Sequence, residues 1–262
     1  MLYNKRPMAT RSFELREFFH LALLRHLATR LSGRDYAVKG GICLRFFHRS
    51  PRLSQDMDLD VVSSVRMKTL EKAVDSVLEG QAFAASLLQQ GITRVTASKP
   101  KQTETTQRWK AALYAGAGEP LPTKIEFSRR HDRIGCSTGM ADAELLRRYR
   151  MTPFAAQFYD GSGMAAQKIA ALASPPRSAL RDLFDLHHLR RVVLVKPGDA
   201  AELLEMKTLE SAADKVGRFT FGDFKEQVLP YLAGELIELY RKEDVFERQK
   251  AEVEQALLEM LK

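Results

Sequence analysis

Asp56 and Asp58 stand two positions apart, a short distance after Lys39-Gly40-Gly41. Side chains two apart share one face of a strand. The two carboxylates therefore project together, while Met57, Leu59 and Val61 turn to the core. Side by side the carboxylates repel, and a divalent cation between them removes that cost. A hard cation such as Mg²⁺ or Mn²⁺ takes oxygen ligands and accepts phosphates as co-ligands. Two such ions, about 3.5–4 Å apart, are the usual clamp for in-line attack on a phosphate. Gly40-Gly41 sits where a strand passes into a helix, so the backbone can approach an anion and the first helical N–H groups point at it. Ser54 offers a hydroxyl donor to a phosphate, and Lys39, Arg45, Arg49 and Arg52 make the neighbourhood cationic.

Two later residues break their local pattern. Lys168 falls between Met164 and Leu172 on a helical wheel, on the apolar side, where a lysine is costly unless paired or catalytic. Asp182 falls between Leu186 and Leu189. On helices joined by Ser174-Pro175-Pro176, the two can meet as a buried Lys–Asp pair facing the same cleft as Asp56 and Asp58.

These residues need elements to hold them. Apolar spacings of three and four predict a helix over 11–31. Tyr36 to Val38 reads as a strand, Ile42 to Phe47 as one or two helical turns, and Asp56 to Val62 as a second strand. Residues 66–89 return to helical spacing. Strands follow at Ile92 to Ala97, Arg108 to Tyr114 and Lys124 to Phe127, where Lys124, Glu126 and Ser128 alternate with Ile125 and Phe127. From Ala141 onward almost every segment has helical spacing. The reading is an α+β chain: a mixed sheet with flanking helices over residues 1–155, then an all-helical domain over 156–262 carrying Lys168 and Asp182. The last segment, Ala233 to Lys262, is charged and helical and can pack on the body or on a partner.

The chain has 262 residues, a formal charge of +8 and 45% hydrophobic residues. This excludes a disordered or fibrous chain. No apolar run reaches the ~18–20 residues of a membrane helix. The first residues lack the apolar stretch of a signal peptide, and two cysteines cannot build a disulfide framework. The expectation is a cytoplasmic protein without a membrane partner. Arginines cluster at Arg129, Arg130, Arg133, Arg147, Arg148 and Arg150, and again at Arg177, Arg181, Arg190 and Arg191. Such runs suit a polyanion bound in a salt-dependent way.

Lys39-Gly40-Gly41, Arg52-x-Ser54-x-Asp56-x-Asp58-Leu59-Asp60, Lys168 with Ile169-Ala170-Ala171-Leu172, and Arg181-Asp182-Leu183-Phe184-Asp185-Leu186 together resemble the AbiEii/AbiGii toxin family. These are nucleotidyltransferase-like proteins related to the MenT toxins, within the broad DNA polymerase beta-like superfamily. The resemblance runs in motif order over about residues 10–195. It implies a nucleotidyltransferase-like sheet followed by a helical domain. It also implies Mg²⁺-dependent transfer of a nucleoside monophosphate from an NTP, with tRNA or another RNA as acceptor, and an antitoxin encoded nearby. Asp56 and Asp58 would hold the metal, Gly40, Gly41 and Ser54 the triphosphate, with Lys39 and Arg52 beside it. Lys168 would steady phosphate charge and Asp182 would be the late catalytic carboxylate. Glu126 is the candidate for a third metal carboxylate, although an exposed strand residue between Lys124 and Ser128 accounts for it equally well. Two other functions fit the same residues: a transferase acting on a small molecule or a protein hydroxyl, and an NTP- or RNA-binding module without turnover.

Overall fold

The computed structural model describes residues 8–129, 135–175 and 180–262. Those residues divide into two compact units. One lies within Met1–Phe47, Leu53–Arg133 and Ser137–Phe158, the other within His48–Arg52, Ile134–Cys136 and Tyr159–Lys262.

The first unit is built on a mixed sheet of seven strands in the order β3-β4-β5-β2-β1-β7-β6. Helix α1 (Met8–Leu27) comes first, its apolar stripe of Phe18, Phe19, Leu23 and Leu27 buried. Strand β1 (Tyr36–Lys39) runs straight into α2 (Gly40–Phe47). Strand β2 (Met57–Val61) returns antiparallel to β1, pairing Lys39 with Asp58 and Ala37 with Asp60. The helical stretch expected over 66–89 is two helices, α3 (Met67–Leu78) and α4 (Gln81–Leu88). The break falls at Gly80, whose extended backbone caps α4. A meander follows of β3 (Arg94–Gln102), β4 (Thr106–Tyr114) and β5 (Leu121–Arg129). Strand β5 then lies parallel to β2, and Asp58 stands opposite Glu126.

One strand departs from the expected helical run, and another, just before that run, carries no strand signal in the sequence. β6 (Cys136–Met140) and, after the short helix α5 (Ala143–Arg148), β7 (Ala155–Tyr159) extend the sheet beyond β1, β7 lying parallel to it. Ala155-Ala156-Gln157 has weak β propensity, and pairing with a sheet already in place outweighs it. Helical structure without strands begins only at Gly161.

The second unit is helical. It contains α6 (Gly161–Ala173), α7 (Leu180–Arg191), α8 (Pro197–Ala201), α9 (Met206–Gly217), α10 (Phe221–Gln227), α11 (Gly234–Tyr240) and α12 (Glu243–Met260). Asp160 caps α6 by accepting from the Gly163 N–H, and Thr220 and Asp223 form a capping box at α10. The charged C-terminal segment packs on its own unit, with α12 against α7 and α9. Phe224 and Phe246 are buried there with ring centroids 5.2 Å apart.

Candidate active site

Alternation along β2 sorts its residues. Met57 and Leu59 are fully buried, and Asp58 keeps a third of its side chain exposed. Asp56 lies just before the strand and Asp60 is completely buried within it. Asp60 forms an ion pair with Lys39 across the β1–β2 ladder. The Lys39 ammonium, expected beside a triphosphate, is thus engaged with a buried carboxylate.

Gly40 has φ +67°, a left-handed backbone that a side chain disfavours. A Cβ there would lie 3.3 Å from Asp58 Oδ2. The Gly40-Gly41 turn therefore brings the start of α2 directly against the Asp58 carboxylate, and a side chain at Gly40 would crowd it.

Asp56 is held by backbone. The Lys124 N–H donates to Asp56 Oδ1 at 3.0 Å, and the Ser54 hydroxyl donates to the Asp56 carbonyl at 3.1 Å. The preceding residue is fixed as well, since the Thr123 hydroxyl donates to the Gln55 carbonyl at 2.7 Å. His20 Nε2 lies 2.7 Å from the same Thr123 oxygen. That hydroxyl has already given its proton, so His20 is the donor and its tautomer is set.

Asp56, Asp58 and Glu126 surround one ammonium. Lys124 Nζ lies 3.4 Å from Asp58 Oδ1, 3.7 Å from Glu126 Oε2 and 3.9 Å from Asp56 Oδ2. Burial pushes the Asp56 carboxyl above its ordinary value, Lys124 opposes that shift, and the Asp58 charge adds to it. Burial also works against ionised Glu126, but the Arg108 hydrogen bond and the Lys124 charge outweigh it and hold its pKa below the ordinary value. Among the described residues no three His, Cys, Asp or Glu side chains stand close enough to form a finished metal site. The three carboxylates nevertheless suit a hard divalent cation in chemistry, being oxygen donors held near one point and already sharing a positive charge.

The second unit holds the other two expected residues. Lys168 Nζ, on α6, lies 2.7 Å from Asp182 Oδ1 and 2.7 Å from Asp185 Oδ2, both on α7. Arg52 completes the cluster with one edge of its guanidinium bidentate on Asp185, Nε to Oδ1 at 2.8 Å and Nη2 to Oδ2 at 2.6 Å. All four side chains are buried. Burial works against the charge on Lys168, but the Asp185 and Asp182 carboxylates more than reverse it, so its pKa rises. Burial likewise opposes ionised Asp185, but Arg52 and Lys168 hold its pKa far below the usual carboxylate range. The segment carrying Arg52 is pinned by two imidazoles: His188 donates to the His48 carbonyl at 2.7 Å, and His48 to the Tyr159 carbonyl at 2.8 Å.

Asp56, Asp58 and Glu126 thus assemble in the first unit, and Lys168 and Asp182 in the second. Sequence reasoning did not single out Lys124, Asp185 or the burial of Asp60. Asp185 had an available signal, since it lies one turn beyond Asp182 on the same helix.

The arginine clusters are partly committed. Arg129 donates to the Val65 carbonyl and to Gln107. Arg190 and Arg191 pair with Glu259 and Glu252 of α12. Arg130, Arg133 and Arg177 lie outside the described residues.

A mixed sheet that sets a carboxylate pair and a neighbouring-strand carboxylate beside a Gly-Gly turn is the frame of a nucleotidyltransferase. Solved structures agree in fold. MenT4, a nucleotidyltransferase toxin from Mycobacterium tuberculosis, matches with a TM-score of 0.62 at 15% identity, over 98% of this chain and 96% of that one. JHP933 from Helicobacter pylori matches at 0.56 and 17%, over 94% and 90%. A crystal structure described as a putative nucleotidyltransferase from H. pylori matches at 0.56 and 17%, over 94% and 93%. No curated protein is similar enough in sequence to match.

The chain belongs to the AbiEii family, the nucleotidyl transferase toxins of type IV toxin–antitoxin systems, whose model matches residues 22–261. It is accordingly a nucleotidyltransferase, and membership of this toxin family implies a nucleotide substrate and a cognate antitoxin. Among the described residues no helix is long and apolar enough to cross a membrane.

Proposed function

We propose that the protein transfers a nucleoside monophosphate from an NTP to a hydroxyl of an RNA, with tRNA the foremost acceptor, and that the reaction depends on Mg²⁺ or Mn²⁺. The observation that carries this reading is the convergence of Asp56, Asp58 and Glu126 on one positive charge. Those carboxylates would hold the divalent ion, whose chemistry is to bridge phosphate oxygens and neutralise the charge that develops on them.

The chain's own residues do the positioning. The Gly40-Gly41 turn gives the triphosphate room against the backbone at the start of α2, where N–H groups point outward. The Ser54 hydroxyl stands beside Asp56 and would reach a phosphate by exchanging its bond to the Asp56 carbonyl, and Lys39 neutralises the buried Asp60. Lys168 would steady phosphate charge and Asp182 would serve as the late carboxylate. Held between two carboxylates, the lysine stays protonated, its charge already matched by Asp182 and Asp185. Little covalent chemistry is asked of the protein, because alignment and charge neutralisation carry phosphoryl transfer. The net charge of +8 favours an RNA acceptor over a cationic small molecule.

The test uses each α-labelled NTP in turn with Mg²⁺ and total tRNA. Wild type is expected to label tRNA with one preferred NTP, and Asp56→Ala to lose about a hundredfold or more of that rate. Equal labelling by wild type and Asp56→Ala contradicts the mechanism. Labelling of added protein or small hydroxylated molecules, with tRNA untouched, contradicts the acceptor.

A further inference from the structure

We propose that Lys124 is a tethered counter-ion: it holds Asp56, Asp58 and Glu126 together before a divalent cation binds and moves onto the nucleotide's phosphates as the cation takes its place. The inference rests on the nucleotidyltransferase reading above and deepens it by coupling cation binding to nucleotide binding through one side chain.

A charged N–H···O hydrogen bond closes to about 2.7–2.9 Å. Lys168 achieves that with both of its carboxylates, at 2.7 Å each. Lys124 achieves it with none, standing 3.4, 3.7 and 3.9 Å from its three. It is a charge shared among acceptors rather than a closed ion pair.

The neighbouring cations are each closed onto a partner, one of them onto Glu126 itself. Lys39 is closed onto Asp60, Arg108 donates to Glu126, and Arg16 Nε donates to the Pro122 carbonyl at 2.8 Å. Among the described residues around these carboxylates, Lys124 is therefore the cation that can leave at low cost.

The backbone of Lys124 cannot follow its side chain. β5 is paired on both sides, with β2 and with β4, and the Lys124 N–H holds Asp56. The long flexible stem, still partly exposed, carries a compact ammonium that can swing from carboxylate to phosphate. A divalent cation alone must displace this ammonium. With nucleotide present the ammonium gains a new anionic partner, so nucleotide raises cation affinity and the cation raises nucleotide affinity by the same factor.

The experiment titrates Mn²⁺ against the full-length protein by the loss of free-ion signal in electron paramagnetic resonance. It is done with and without a non-hydrolysable α,β-methylene NTP analogue. Lys124→Met is expected to bind Mn²⁺ alone about tenfold more tightly than wild type, equivalent to about 1.4 kcal/mol, and to show a smaller further gain from the analogue. Lys124→Gln is expected to behave like Lys124→Met, and Lys124→Arg, which keeps the charge, to stay near wild type. If neither neutral variant binds Mn²⁺ more tightly than wild type while Asp58→Asn abolishes binding, the counter-ion role is overturned and the metal site stands. If Asp58→Asn binds Mn²⁺ as wild type does, the metal site lies elsewhere and both readings fall.

Discussion

The Arg52 guanidinium grips the Asp185 carboxylate through two hydrogen bonds from one edge, although 133 positions separate them in sequence. Lys168 meets Asp185 as well, so one buried carboxylate joins two cations. Removing one partner of such a cluster leaves buried charge uncompensated, at a cost of about 3–5 kcal/mol. Asp185→Ala is therefore expected to lower stability by about that amount in urea denaturation. A loss below about 1 kcal/mol would show that the cluster does not hold this unit together.

Acid should destabilise the protein before its carboxylates titrate. Burial, reinforced by the Arg16 charge, lowers the His20 pKa to about 3, and burial is also the main cause of the lowered values of His48 and His188. Below the ordinary histidine value of about 6.5 the unfolded chain takes up protons that these folded imidazoles refuse. Stability is then full above that value and falls progressively beneath it, for His20 down towards about 3. Each such histidine contributes up to about 1.4 kcal/mol per pH unit. The melting temperature should drop between pH 7.5 and pH 5, with a shallower slope for His20→Gln. A flat profile would contradict the buried, neutral histidines.

Gly40→Ala separates site geometry from backbone strain. Gly40 and Gly116 both have a left-handed backbone, with φ of +67° and +75°. A Cβ at Gly40 meets Asp58, whereas a Cβ at Gly116 meets nothing within 4 Å. Each alanine should cost about 1–2 kcal/mol in thermal or urea unfolding. Only Gly40→Ala should also reduce nucleotide transfer, by about tenfold or more. Equal transfer rates in the two variants would remove the Gly-Gly turn from the site.

The parts of the fold and site that could be read in the sequence are those where local pattern and tertiary structure agree. Alternation around Asp56 and Asp58 identified β2 and its buried face, and the misfit of Lys168 and Asp182 on apolar helix faces anticipated their contact. Arg52 reads in the sequence as a cation beside the triphosphate, and nothing local reports its carboxylate partner on a distant helix. Lys124 looked like an ordinary solvent-facing residue of an alternating strand. Its setting depends on β5 docking parallel to β2, which no local spacing reports. β7 was obscured because its alanines favour helix and only the sheet beside it makes it a strand.

Asp56, Asp58 and Glu126 are proposed to bind the divalent cation that serves nucleotide transfer. The direct measurement is anomalous diffraction from crystals grown with Mn²⁺ and a non-hydrolysable NTP analogue. The account predicts a manganese peak bounded by oxygens of Asp56 and Asp58, with Glu126 beside it and the analogue's phosphates as co-ligands. A bound analogue with no manganese at these carboxylates, or with manganese at other residues, would contradict it.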